Sequence, residues 1–173
     1  LFSYDNPPGT KYISGSQDTI GIVIPGINYA YYEGEYWPTR IDKCRDERVL
    51  QFAEQSLSLI PLGPRGPEYD VLADTHIDRD GAKALADAAD ACWDALRARD
   101  LRGFGTAMRA GFEAQIAMFP NMMNPMLADM IDQYRDRALG WKVSGAGGGG
   151  YLILVADGPV DGGFQIVARR ALE

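Results

Sequence analysis

Ser144-Gly145-Ala146-Gly147-Gly148-Gly149-Gly150 places five glycines in six consecutive positions. Ordering glycine costs more chain entropy than ordering any other residue. A fold keeps such a run where backbone must come close to something or adopt positive φ. Backbone N–H groups exposed in that geometry suit an anion, phosphate above all. The alternative is a tight crossover between packed strands. The run contains Gly145-x-Gly147-x-x-Gly150, the spacing of a dinucleotide-binding turn, but that turn must open a helix and be followed by an acid about twenty residues on. Here the strand-like Tyr151-Leu152-Ile153-Leu154-Val155 follows, and the reading is rejected. Without a following Gly-Lys-Ser/Thr, the run is no Walker loop either.

Other side chains offer less. His76 is the sole histidine, which excludes a histidine-rich metal centre. A structural role is favoured for it over a substrate contact. Arg65, in Gly63-Pro64-Arg65-Gly66-Pro67, is a candidate for a substrate phosphate, which a guanidinium matches well. Tyr29, Tyr31, Tyr32, Tyr36 and Trp37 either form a sugar-stacking platform or pack on a strand, the commoner use of alternating tyrosines. Met122, Met123 and Met126 read as core filler, Cys92 as an inert thiol on an apolar helix face, and the charges from Asp42 to Arg48 as solvated surface.

These residues sit in a chain of 173 residues with 46% hydrophobic and 24% charged side chains, the length and composition of a single globular domain. A net charge of −7 argues against non-specific nucleic-acid binding, and no basic run suits an anionic membrane. Cys44 and Cys92 lie far apart in unlike contexts, so a reducing cytoplasm is expected. The apolar stretch from Tyr151 to Ala156 is too short to span a bilayer.

Elements must position the glycine run. Residues 1–12 read as a turn-rich lead-in around Asn6-Pro7-Pro8-Gly9. Thr19 to Ile24 is short, apolar and β-branched and breaks at Pro25-Gly26. Ile27 to Tyr32 reads as a strand turned by Glu33-Gly34-Glu35 into Tyr36-Trp37-Pro38. A further strand is expected over Ser56–Leu62, then a loop to Pro67. Leu85, Ala88, Ala89, Cys92 and Leu96 repeat at helical steps after a cap at Asp78 or Asp80. Leu101, Phe104, Met108, Phe112, Ile116 and Phe119 do the same up to Pro120. A third helix is expected from Pro125 to Leu139, capped by Gly140. Trp141-Lys142-Val143 then leads into the glycines, and Tyr151–Val155 is a buried strand. The sum is an α+β fold with helices on one side of a mostly antiparallel sheet.

In this setting Lys142-Val143-Ser144-Gly145-Ala146-Gly147-Gly148-Gly149-Gly150 resembles the third motif of the GHMP kinases. There it lies beside the phosphate-transfer site and supports the nucleotide-binding loop of the N-terminal half. Gly15-Ser16-Gln17-Asp18, followed by an apolar stretch and Pro25-Gly26, is similar to the family's Gly-x-x-Asp segment. Its Gln17 variant resembles bacterial heptose-phosphate and fucose kinases. The helices Ala82–Ala98 and Phe104–Phe119, with Phe119-Pro120-Asn121-Met122, look like the C-terminal domain of these sugar kinases, so the resemblance runs from about Lys11 to Glu173. It implies a ferredoxin-like C-terminal domain, ATP and Mg²⁺ as cofactors, a sugar or sugar phosphate as substrate, and Asp18 as the base that accepts the hydroxyl proton. Ser144, Gly145, Ala146, Gly147, Gly148 and Gly149 would lie near the phosphates, with Gln17, Arg65 and His76 near substrate. Taken without the resemblance, Asp18 reads as an N-cap or Asx-turn residue rather than a base.

The family's Pro-x-x-x-Gly-Leu-Gly-Ser-Ser-Ala nucleotide loop, with its magnesium-binding acid, does not occur in this sequence. The chain also begins with Leu1 rather than Met. It is therefore expected to be the C-terminal portion of a longer enzyme whose N-terminal half would be its partner. By itself it is expected to bind ATP weakly and to turn over little. A homodimer is compatible with such folds. A non-catalytic ligand-binding or assembly domain is the alternative function.

Overall fold

The computed structural model describes residues 1–11 and 13–171. The chain forms two compact units, one of Leu1–Gln51 with the C-terminal stretch from Ala168, the other of Phe52–Val167.

In the first unit, α1 (Phe2–Asp5) and α2 (Gln17–Val23) precede an antiparallel pair, β1 (Ile27–Tyr31) and β2 (Arg40–Cys44), in register from Ile27 opposite Cys44 to Tyr31 opposite Arg40. The β-branched run Thr19–Ile24 therefore lies in a helix and its C-cap, not in a strand. Thr19 and Ile20 are buried along one side of α2 while Ile22 and Val23 stay exposed, so tertiary burial overrides strand propensity. The partner of β1 is also not Tyr36-Trp37-Pro38, which lies in the connection between the strands. It is the charged Arg40–Cys44 segment, whose Asp42 to Cys44 falls in the stretch read from sequence as solvated surface. That pairing is fixed partly by Gly26, where a Cβ would stand 2.3 Å from the Cys44 carbonyl oxygen. The amide of Gly26 donates to the Arg169 carbonyl at 2.8 Å.

An unpredicted helix, α3 (Glu47–Ser56), runs straight into β3 (Leu57–Gly63). The second unit continues with α4 (Arg79–Ala98), α5 (Leu101–Met118), a 3₁₀ turn (Pro120–Met122), α6 (Pro125–Tyr134), β4 (Gly140–Val143), β5 (Gly150–Val155) and β6 (Phe164–Gln165). Its sheet has the order β4-β5-β3-β6, antiparallel at every pairing. Numbered within this unit alone, that is the 2-3-1-4 order of a ferredoxin-like sheet. The crossover from the first strand to the second is made by α4, α5 and α6. Helix α5 lies on the sheet and α4 packs on α5.

The caps follow the sequence. Asp78, not Asp80, caps α4, its carboxylate accepting from Gly81 N at 2.6 Å, and Asp100 and Asn124 cap α5 and α6 in the same way. Helix α6 stops at Tyr134, short of the expected Leu139. The amides of Arg137 and Ala138 both return to the Tyr134 carbonyl at 2.9 Å in a closing turn. Gly140 is consequently no cap. It opens β4 opposite Val155, pressed on α5 so closely that a Cβ would lie 2.0 Å from the Gly105 carbonyl oxygen. The core gathers Ile60, Phe112, Met122, Leu127, Ile131, Trp141, Val143, Leu152 and Leu154, with Val143, Leu152 and Leu154 wholly buried. Met122 is core filler, as expected, and Met123 packs against the core, but Met126, read with them as filler, is exposed.

Candidate functional site: the glycine loop between β4 and β5

The glycine run connects two antiparallel neighbours. Ser144 N donates to the Tyr151 carbonyl at 2.8 Å, closing the loop at its base. Pairing of β3 with β5 ends at Gly63 opposite Gly150, so the chain leaving β3 is delivered beside the glycines. The loop from Gly63 to Tyr69 then lies directly against them. A Cβ on Gly149 would meet Arg65 N at 2.6 Å and the Pro64 carbonyl carbon at 2.8 Å, and one on Gly148 would meet three carbons of the Tyr69 ring at 2.6 Å. Gly148 also has φ +72°, and Gly147 φ +75°, a region that side-chain-bearing residues enter at a cost. Glycine is thus demanded here twice over, by contact and by backbone conformation.

Two side chains tie the loops together. The Tyr69 hydroxyl donates to the Ala146 carbonyl at 2.7 Å, and Arg65 Nε donates to the Gly147 carbonyl at 3.0 Å. The guanidinium stands 5.5 Å from the Tyr69 ring centre, a cation–π distance. Burial pushes the Tyr69 phenol above its ordinary pKa, with the Arg65 charge acting in the opposite direction, so the phenol stays a donor at neutral pH. Asn121 completes the support, its amide donating to the Asp70 carbonyl at 3.0 Å and the Ala73 carbonyl at 3.2 Å. Met122 backbone lies 3.5 Å from where a Gly147 Cβ would be.

Beneath the loop, Lys142 on β4 donates to Gln115 Oε1 on α5. Burial lowers the Lys142 pKa, and burial raises that of the nearby Cys92 thiol to about 11. A protonated, half-buried thiol is inert.

The expected site residues fall in three places. Ser144, Gly145, Ala146, Gly147, Gly148 and Gly149 form the loop itself, with Arg65 on it. His76 is exposed, its backbone amide donating to the Met118 carbonyl at 2.8 Å at the end of α5. Gln17 and Asp18 belong to the first unit, exposed on the first turn of α2. There Ser16, 1% exposed, shares a 2.8 Å hydrogen bond with the Tyr32 hydroxyl. Asp18 is not the N-cap, which falls on Ser16.

The tyrosines of β1 are engaged in packing. Tyr29 and Tyr31 meet edge to face at 4.8 Å, Arg40 covers Tyr31 at 3.7 Å, and the Tyr31 hydroxyl donates to Asp42 at 2.9 Å. Sequence reasoning passed over Tyr69, and named Asn121 only within Phe119-Pro120-Asn121-Met122 and without a role at the loop. Nothing local marks either, because both act across long stretches of chain.

Among the described residues, no group of three His, Cys, Asp or Glu side chains is arranged to hold a metal ion, and no helix is long and apolar enough to cross a membrane.

An antiparallel sheet of ferredoxin-like order covered on one side by helices is consistent with the fold of a GHMP kinase C-terminal domain. Residues 93–166, from α4 to β6, match the family model described as GHMP kinases C terminal. The chain is also similar to a crystal structure of mevalonate kinase, with 21% identity and a TM-score of 0.53 over 68% of this chain. At that identity the likeness is one of fold. The match spans 37% of the mevalonate kinase chain. None of the curated proteins compared with the chain matches it.

Proposed function

We propose that this chain is the C-terminal part of an ATP-dependent kinase that phosphorylates a hydroxyl of a sugar or sugar phosphate. The observation that carries the reading is the glycine loop. Its carbonyls at Ala146 and Gly147 are taken by Tyr69 and Arg65, and among the described residues the amides of Gly147 and Gly148 donate to no protein acceptor. Unbonded backbone donors without flanking side chains fit a phosphate group. Phosphoryl transfer needs little beyond alignment, charge neutralisation and a base. ATP supplies the phosphoryl group, and Mg²⁺, for which the described residues form no cage, accompanies its phosphates. Asp18 is proposed as the base on its resemblance to the Gly-x-x-Asp segment, and the same segment favours a heptose-phosphate or fucose type of acceptor. Cytoplasmic action accords with Cys44 and Cys92 both being free thiols.

The test is ADP release by the complete polypeptide carrying this chain, with Mg-ATP and a panel of sugars and sugar phosphates. Turnover with at least one acceptor is expected, and Asp18→Asn should lower kcat by about 10²–10⁴, the range of a lost general base. Equal rates with and without the substitution would remove Asp18 from the chemistry. Silence across the panel favours the non-catalytic module.

A further inference from the structure

We infer that Arg65 and Tyr69 are positioning residues, a clasp that sets the direction in which the glycine loop presents its amides; the inference rests on the kinase reading for the ligand those amides meet. A trans peptide bond holds the carbonyl of one residue and the N–H of the next on opposite sides, and the described chain contains no cis peptide. With the Ala146 carbonyl bonded to Tyr69, the Gly147 amide points away from Tyr69. With the Gly147 carbonyl bonded to Arg65, the Gly148 amide points away from Arg65. Arg65 and Tyr69 belong to one loop and lie against each other, so both amides are turned to the side opposite the clasp. Neither finds a protein acceptor there among the described residues. Polyglycine has no side chains to fix its own peptide planes. Two bonds from outside the loop do so instead, and the Tyr69 ring against Gly148 blocks the alternative flip.

The arrangement also assigns Arg65. Arg48, Arg135 and Arg170 lie within ion-pair distance of carboxylates. Arg65 is held by a carbonyl and an aromatic ring, neither of which cancels its charge. Its Nε, the nitrogen nearest the stem, makes the bond, so the role depends on the planar guanidinium and not on charge alone.

The test uses this chain, ¹⁵N-labelled, with inorganic pyrophosphate and ADP as probes and the Gly147 and Gly148 amide resonances as readout; millimolar binding suffices. Wild type should show both amides shifting with added probe. Tyr69→Phe and Arg65→Gln should each weaken that binding about fivefold to tenfold while the melting temperature changes by only a few degrees. Arg65→Lys, which keeps the charge and loses the fork, should bind like Arg65→Gln. The clasp is overturned if Arg65→Lys binds like wild type, or if Tyr69→Phe and Arg65→Gln keep wild-type affinity; in both cases the kinase reading stands. If no probe moves a glycine amide in wild type, the phosphate role of the loop falls and the clasp falls with it.

Discussion

The Tyr69 hydroxyl donates to the Ala146 carbonyl at 2.7 Å while the same ring rests on the bare Cα of Gly148, 77 positions from tyrosine to alanine along the chain. Gly148→Ala must therefore displace the ring as well as hold a left-handed φ of +72°. A destabilisation of roughly 2–4 kcal/mol is expected from the two costs together. Gly145→Ala is the control. Its φ is +61° with nothing within 4 Å of the new Cβ, so only the backbone cost of about 1–2 kcal/mol applies. Urea unfolding of both variants checks the difference. Equal losses would mean that the ring contact contributes nothing.

Gly140 and Gly105 meet backbone to backbone, and neither can yield as a flexible side chain would. Gly140→Ala should cost about 3 kcal/mol or more, above the usual range for overpacking, because a peptide carbonyl stands 2.0 Å from the added carbon. Gly66→Ala, which meets nothing within 4 Å, should stay within about 0.5 kcal/mol. Thermal and denaturant unfolding of the pair make the comparison.

Asp78→Ala removes the carboxylate that accepts from Gly81 N. It should lower stability by about 1 kcal/mol. Asp80→Ala, in the first turn of α4 and bonded to no amide in the cap, should lose less, through the helix dipole only. Reversal of this order in denaturant titrations would contradict the cap geometry.

Cys92 gives stability a slope in alkali. Burial raises its pKa from 9.0 to about 11, so between those values the unfolded chain has released a proton that the folded chain still holds. Stability is then complete below pH 9 and declines as pH rises toward 11, by on the order of 1–2 kcal/mol relative to Cys92→Ala. Lys142, lowered by the same burial, acts in the opposite sense, its charging cost fading as pH rises. Referring each measurement to Cys92→Ala isolates the thiol. Alkylation by iodoacetamide, slow at pH 8 and rising toward pH 11, is the second check.

Local sequence was sufficient wherever a short-range pattern carried the answer. The apolar steps from Leu85 to Leu96 and from Leu101 to Phe119 gave two helices ending close to where they were read. Asp78 and Pro125 marked helix starts, and Tyr151–Val155 is the buried strand its composition required. The glycine run announced a close backbone approach, and the approach is there, against Arg65 and Tyr69.

Tertiary structure decided the rest, because the deciding contacts lie far apart in sequence. Thr19–Ile24 has strand-forming residues, yet burial of Thr19 and Ile20 on one side makes it part of a helix. The Arg40–Cys44 strand hides behind charges because its partner Tyr31 accepts Arg40 on its ring face. Gly140 looks like a cap and is a contact point for Gly105. Composition determined that a bare backbone loop would exist between two strands; only the pairing of Gly63 with Gly150 determined which side chains would lie on it. A hydrogen bond spanning 77 residues leaves no periodicity for a linear reading to find.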